Sequence, residues 1–80
     1  MKTYTVGEYT YTEKEIVDEY KHAMKMAAKA RKADKYVAEK WTDERLARRH
    51  LGKSFEQLEN GQELADMIMK VGKTLVEKKK

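Results

Sequence analysis

From Tyr9 through Leu51 the chain contains no glycine, and it has no proline anywhere. These two residue types interrupt helices most strongly. A stretch this long without them is committed to helix, and only polar caps can end it. Three cap signals are present. Thr12 with Glu15 reads as a capping box that opens a helix. Ile16, Tyr20, Ala23, Ala27 and Ala30 then recur at helical spacing, with Val17 and Met24 widening the stripe. Thr42, followed by Asp43 and Glu44, reads as a second N-cap, so a break is expected near Trp41. Gly52 reads as the residue that ends this segment, and Ser54 with Gln57 as a further capping box. Asn60-Gly61-Gln62-Glu63 reads as a third box or a mild interruption. Leu64, Ile68, Val71 and Leu75 form the seam of the last helix.

Ahead of this helical stretch, Thr and Tyr alternate from Thr3 to Thr12, the pattern of half-buried strands. Gly7-Glu8 suits a two-residue type II′ turn, which pairs Val6 with Tyr9 and Tyr4 with Tyr11. These four share one face and the threonines the other. A lone hairpin is marginal in water, so its Tyr/Val face must rest on a helix. The expected fold class is α+β, mostly helical: an N-terminal β-hairpin (about 3–12), a long helix (13–41), a short helix (43–51) and a C-terminal helix (55–77). All belong to one small domain over 1–77, with 78–80 a frayed basic tail.

Leu, Ile, Val and Phe supply only 13 of the 80 residues, below the roughly 20% typical of foldable domains. The core is therefore thin. A homodimer that completes it across a symmetric interface is one expectation. There is no cysteine, which excludes disulfides and thiolate metal sites. No apolar run follows Met1-Lys2-Thr3-Tyr4, so no secretory signal is expected. No stretch has the length of a membrane span, and a cytoplasmic location is the default.

Charge is sorted along the chain. Residues 1–20 carry net −3, residues 21–53 net +7 and residues 54–77 net −3; the whole is +4. A basic block of this size asks for an anionic partner or for the chain's own acidic ends. Lys21, Lys25, Lys29 and Lys32 step by four, four and three and so line one helix side, with Lys35 and Tyr36 extending it and Arg31 off the stripe. Arg45, Arg48, Arg49 and Lys53 form a second group, whose guanidinium forks suit phosphate or carboxylate. Its alternative use is pairing with Asp43, Glu44 or the acidic final segment. The tyrosines could stack bases, but the hairpin needs them for burial. Tyr36 and Trp41 are the aromatics inside the basic block, Trp41 more as a core anchor. His22 and His50 are isolated in sequence, and no metal or cofactor is expected. No catalytic signature is present, so an enzyme is not expected.

Leu46-Ala47-Arg48-Arg49-His50-Leu51-Gly52-Lys53-Ser54 resembles the second helix and turn of helix-turn-helix repressors, with one residue more between Ala47 and Gly52 than those motifs carry. Gly52-Lys53-Ser54 is also similar to the turn between the helices of ribbon-helix-helix proteins. Trp41-Thr42-Asp43-Glu44 is similar to the start of Myb-type helices, without their later tryptophans. Each likeness covers a small part of the chain. Together they add weight to DNA binding and assign no residue roles. In size and Lys/Tyr-rich composition the chain looks like small early bacteriophage proteins, many of which bind a host protein. The leading expectation is a non-enzymatic regulatory protein that binds nucleic acid, DNA or RNA, through Lys21, Lys25, Lys29, Lys32, Lys35, Arg45, Arg48, Arg49 and Lys53. The first alternative is a phage-type protein that modulates a host protein by its acidic surface, with Met/Tyr patches as hot spots. The second is a structural homodimer.

Overall fold

Strands β1 (Thr3–Val6) and β2 (Tyr9–Thr12) pair antiparallel with Val6 opposite Tyr9 and Tyr4 opposite Tyr11, in a computed structural model that describes residues 2–78. This is the register the alternation implies. Gly7 sits at φ 59° and, among the described residues, no non-glycine residue has positive φ, which fits a turn with glycine in its first central position. Tyr4, Val6 and Tyr11 pack against the helical core. On the outer face the Thr5 and Thr10 hydroxyls lie 3.1 Å apart.

Thr12 closes the hairpin and caps α1 (Glu13–Ala33). Its hydroxyl accepts from the Glu15 amide at 3.2 Å, and the Glu15 carboxylate accepts from the Thr12 amide at 3.0 Å. The long helix expected over 13–41 stops at Ala33. Asp34 is extended (φ −134°, ψ 113°). Its amide donates to the Ala30 carbonyl, while its carboxylate accepts from Tyr36 and Val37 amides at 2.9 and 3.3 Å. One short acidic side chain thus ends α1 and starts α2 (Lys35–Lys40), a local bond that competes with helix continuation. The second break falls at Trp41 as expected. The Thr42 hydroxyl accepts from the Arg45 amide at 3.2 Å and opens α3 (Asp43–Ser54).

Two expected boundaries move. Gly52 does not end α3, because it is buried within the helix. Ser54 caps nothing and is the last residue of α3 instead. A turn over 55–60 follows, in which the Leu58 amide donates to Phe55 and the Gly61 amide to Leu58. The last helix, α4 (Gly61–Lys78), therefore starts at the Asn-Gly step rather than at 55 and includes Lys78. The rest of the expected tail, 79–80, lies outside the described residues.

α1, α3 and α4 all pack on one another. α3 runs antiparallel to α4, since Glu44 pairs with Lys73 and the later Arg48 with the earlier Asp66. It also runs antiparallel to α1, since Arg31 meets Asp43 and His22 meets His50. The hairpin lies against α1 and α4. Ile16, Leu51, Leu64 and Ile68 are the large side chains buried completely. Ala23, Ala27, Ala47 and Ala65 fill the seams between helices, and Gly72 lets α4 approach the Tyr20 side chain. The molecule is a plate 40 × 34 × 13 Å, so every helix keeps a broad solvent face.

Two glycine substitutions distinguish close packing from open space. A Cβ on Gly72 would stand 2.6 Å from Tyr20 Cβ and 2.8 Å from its Cγ. Helix propensity gains up to about 1 kcal/mol from Gly→Ala, and overpacking costs about 1–3 kcal/mol. Gly72→Ala is expected to lose about 1–2 kcal/mol net, read as a lower urea midpoint. At Gly52 the nearest atom to a new Cβ is Gln62 Nε2 at 3.4 Å, an ordinary contact. Gly52→Ala is expected to be neutral or stabilising by up to about 1 kcal/mol.

Candidate functional site

The basic residues divide into those that hold helices together and those that face water. Arg31 is in the first group. Its Nη1 donates to Asp43 Oδ1 at 2.9 Å and its Nη2 to the Ala38 carbonyl at 3.2 Å, so one guanidinium ties α1 to α2 and to the start of α3. Its Nε is buried and makes no hydrogen bond. Arg48 also belongs here, donating from Nε to Asp66 Oδ1 of α4. That hydrogen bond holds the Asp66 carboxyl below its ordinary range, against the small opposing effect of burial. Lys73 reaches Glu44 at 3.0 Å, and this hydrogen bond raises the ammonium pKa.

The other expected site residues stay out of such pairs. Among the described residues, the ion pairs are Arg31–Asp43, Arg48–Asp66 and Lys73–Glu44. Lys21, Lys25, Lys29, Lys32, Lys35, Arg45, Arg49 and Lys53 take part in none, and all eight are exposed. Asp43 and Glu44, two of the acids that the sequence offered to the Arg group, are taken by Arg31 and Lys73. Lys21, Lys25, Lys29 and Lys32 lie on one helix side of α1, away from Ile16, Tyr20, Ala23 and Ala27. Lys35 does not extend this ridge, because the chain turns at Asp34 and places it in α2.

Trp41 corrects the sequence reading most clearly. It is half-buried and stands outside the core cluster. The Arg45 and Arg49 guanidinium carbons lie 5.1 and 5.3 Å from its ring centroid. Each is a cation–π contact worth about 0.5–1 kcal/mol at an exposed site. These contacts set both guanidiniums over the ring while their N–H forks remain free to donate. Beside them lies an open cleft of about 590 Å³ lined by Trp41, Arg45, Arg48, Arg49 and Lys53 together with Glu56 and Gln62. Gly52 lies in its lining without a side chain to fill it.

Arg49 and Lys53 also line a second depression, of about 260 Å³, that crosses to α1 over Met26, Ala30 and His50. The α3 cleft therefore adjoins the depression between α1 and α3. His22 and His50, isolated in sequence, meet here with ring centroids 5.7 Å apart and planes tilted by 58°.

Several of these features escaped sequence reading. Trp41, Arg45 and Arg49 are spaced four and four, and that spacing across the Thr42 cap was the available signal. The Arg31–Asp43 clamp and the entry of Glu56 and Gln62 into the cleft depend on where α3 and α4 cross, which no local pattern shows. Tyr36 is the exposed aromatic as expected, at 66%. The hairpin tyrosines Tyr4 and Tyr11 are held by the core, where burial and then the nearby Glu19 and Glu15 carboxylates raise the Tyr11 phenol pKa.

Comparison of the chain with protein-family models, with curated proteins and with solved structures found no match. Among the described residues no helix is long and apolar enough to cross a membrane, and no group of three or more His, Asp or Glu stands close enough to hold a metal ion.

The Arg48–Asp66 pair gives this surface a pH signature. Because the folded-state carboxyl lies below its unfolded value, its contribution is present above about pH 4 and fades as pH falls through the folded value. Both side chains are about half exposed, at 42% and 53%, so the pair contributes within about 1 kcal/mol. Asp66→Asn is expected to lower stability by up to about that much at neutral pH in low salt. Urea titrations should show the difference from the parent closing below about pH 4 and shrinking in high salt.

Proposed function

We propose that this protein is a non-enzymatic regulatory protein that binds nucleic acid, DNA or RNA, in the cytoplasm, mainly through phosphate contacts. One observation carries the reading: eight of the nine cations singled out in the sequence face solvent without an ion-pair partner among the described residues. Lys residues at four-residue spacing repel one another by a few tenths of a kcal/mol, roughly, per pair. An arrangement that leaves the repulsion unrelieved favours a partner that brings the missing negative charge. The cleft and the depression beside it share Arg49 and Lys53, so a strand of phosphates can run from one to the other, and the α1 ridge is a separate cationic surface on the side of the helix away from Ala27. Arg48 is withdrawn from this set by its tie to Asp66. That tie uses Nε alone, and Arg48 also lines the cleft.

A second reading, binding to an acidic protein surface, draws on one feature. Met26, an exposed large apolar side chain at 37%, sits in the depression between α1 and α3 with Lys53 and Arg49 at its edge. A partner with one apolar residue among acids would fit there. A homodimer has less support. Met26 and Tyr36 are the exposed large apolar residues among those described, too small a patch for the apolar centre of an obligate interface.

Fluorescence anisotropy with labelled duplex DNA, single-stranded DNA and RNA tests the leading reading. Engagement of about five phosphates gives a slope of log K against log salt near −4.5 on duplex and −3.5 on single strands. Lys25→Glu, Lys29→Glu and Arg49→Glu together are expected to weaken binding by at least about tenfold and to flatten the slope by about 2–3. No binding at low salt, or binding indifferent to these changes, overturns the proposal. Capture of an acidic protein after nuclease treatment, lost with Met26→Asp, would move the assignment to the second reading.

A further inference from the structure

The cleft beside Trp41 is more than a cationic patch, and we infer that it seats one unpaired guanine nucleotide of a bound strand. The inference rests on the nucleic-acid reading and adds a base-specific seat to it. Its lining mixes two chemistries. Arg45 and Arg49 lie over the Trp41 indole, with Arg48 and Lys53 in the same lining. A carboxylate, Glu56, and an amide, Gln62, line the same cleft. Pure phosphate binding has no use for a carboxylate within a cationic cleft, since it repels the ligand. A nucleotide needs both kinds of group, because one end is anionic and the base edge carries neutral donors.

Each part has a stated role. A guanidinium held over the Trp41 ring is placed to lie against a base, and Arg planes serve as base-stacking platforms in single-strand recognition. The remaining N–H forks and Lys53 take the flanking phosphates. The Glu56 carboxylate can only accept hydrogen bonds. Guanine is the base whose Watson–Crick edge presents two adjacent donors, N1–H and the 2-amino group, which match the two carboxylate oxygens. Gln62 both donates and accepts, and so serves the neighbouring guanine O6 or the sugar. The preference is for an unpaired guanine because in a duplex this edge is already occupied by cytosine. The strand, rather than a free nucleotide, is favoured by continuity: Arg49 and Lys53 border both the cleft and the depression leading to α1. Phosphates leaving the cleft on that side stay beside Arg49 and Lys53.

Trp41 is the only tryptophan in the chain, so its fluorescence reports on the cleft directly. The test titrates the full chain with an oligothymidine of about twelve nucleotides, a length within the usual single-strand site range. A second titration uses the same strand with one central guanine, a third its duplex, and a fourth GTP alone. The expected result is that the single guanine strengthens binding at least about fivefold, the lower bound for a good two-bond base contact, and changes the Trp41 emission. The duplex should show no gain from guanine, and GTP should bind far more weakly than the strand. Glu56→Gln should abolish the guanine gain while keeping or improving oligothymidine binding. Arg49→Lys keeps the charge and loses the guanidinium plane, and should reduce the guanine gain and the emission change more than the salt slope.

If guanine adds nothing, or if Glu56→Gln strengthens all strands alike without altering their ratio, the seat is refuted while nucleic-acid binding stands. If GTP binds as tightly as the strand, the cleft is a free-nucleotide site and the strand assignment is overturned. If no strand binds at low salt, the nucleic-acid reading itself fails.

Discussion

Close approach between helix backbones is the constraint on which the rest of this structure depends. Among the described residues, four large side chains, Ile16, Leu51, Leu64 and Ile68, are buried completely at the centre. Such a small apolar set can hold three helices only if the seams between them are narrow, and Ala23 and Ala27 on α1, Ala47 on α3 and Ala65 on α4 make them so. Gly72 extends the same device to the Tyr20 contact. Small residues contribute little transfer free energy themselves. Their value is to bring neighbouring atoms into dispersion range, where many weak contacts add up. The hairpin then seals one flank with Tyr4, Val6 and Tyr11, whose rings and branched methyls pack on the core.

A narrow core in a plate 13 Å thick leaves few places to hide charge. Each helix spends one side on its neighbours and gives the rest to water. The ion pairs fall where helices meet: Arg31 across α1, α2 and α3, with Arg48 and Lys73 each bridging α3 and α4. Their acids are thereby spent. Cations beyond those edges face solvent on the α1 ridge and the outer side of α3. The fold thus creates the sorted surface: acids near the edges are used as ties, and the surplus of the basic block is displayed.

Much of the fold was legible because its signals are local. The hairpin register follows from alternation and a glycine turn. The Thr12 and Thr42 caps are visible as residue types at fixed spacing, and both bonds form. The Asp34 break was not legible, since an aspartate within a lysine-rich helical run is as readily a solvated side chain as a cap. Gly52 and Ser54 misled for the converse reason. Both look like punctuation, but the tertiary contact of α3 with the start of α4 holds the helix through them. The candidate site was half legible. Its cations could be named from spacing. Their freedom from pairing, the Trp41 platform and the adjoining Glu56 and Gln62 depend on how α3 meets α4 and the turn between them, where sequence periodicity is silent.

Placing two guanidiniums against one indole has an energetic logic. Arg45 and Arg49 repel each other by a few tenths of a kcal/mol, roughly, at their spacing. Ordering each long side chain costs up to about 2 kcal/mol of rotamer entropy. Contact with the Trp41 ring returns about 0.5–1 kcal/mol for each. The contacts return only part of the ordering cost, so the arrangement adds nothing to folding stability. Its consequence lies in binding. A flexible arginine must be ordered when an anion arrives, at about 0.5–1.5 kcal/mol for each immobilised side chain. Here part of that cost is met as the protein folds, and the forks face the cleft before any ligand enters. Trp41 is excluded from the core it was expected to anchor, and its position is better explained as a support for these two cations than as a failed attempt at burial.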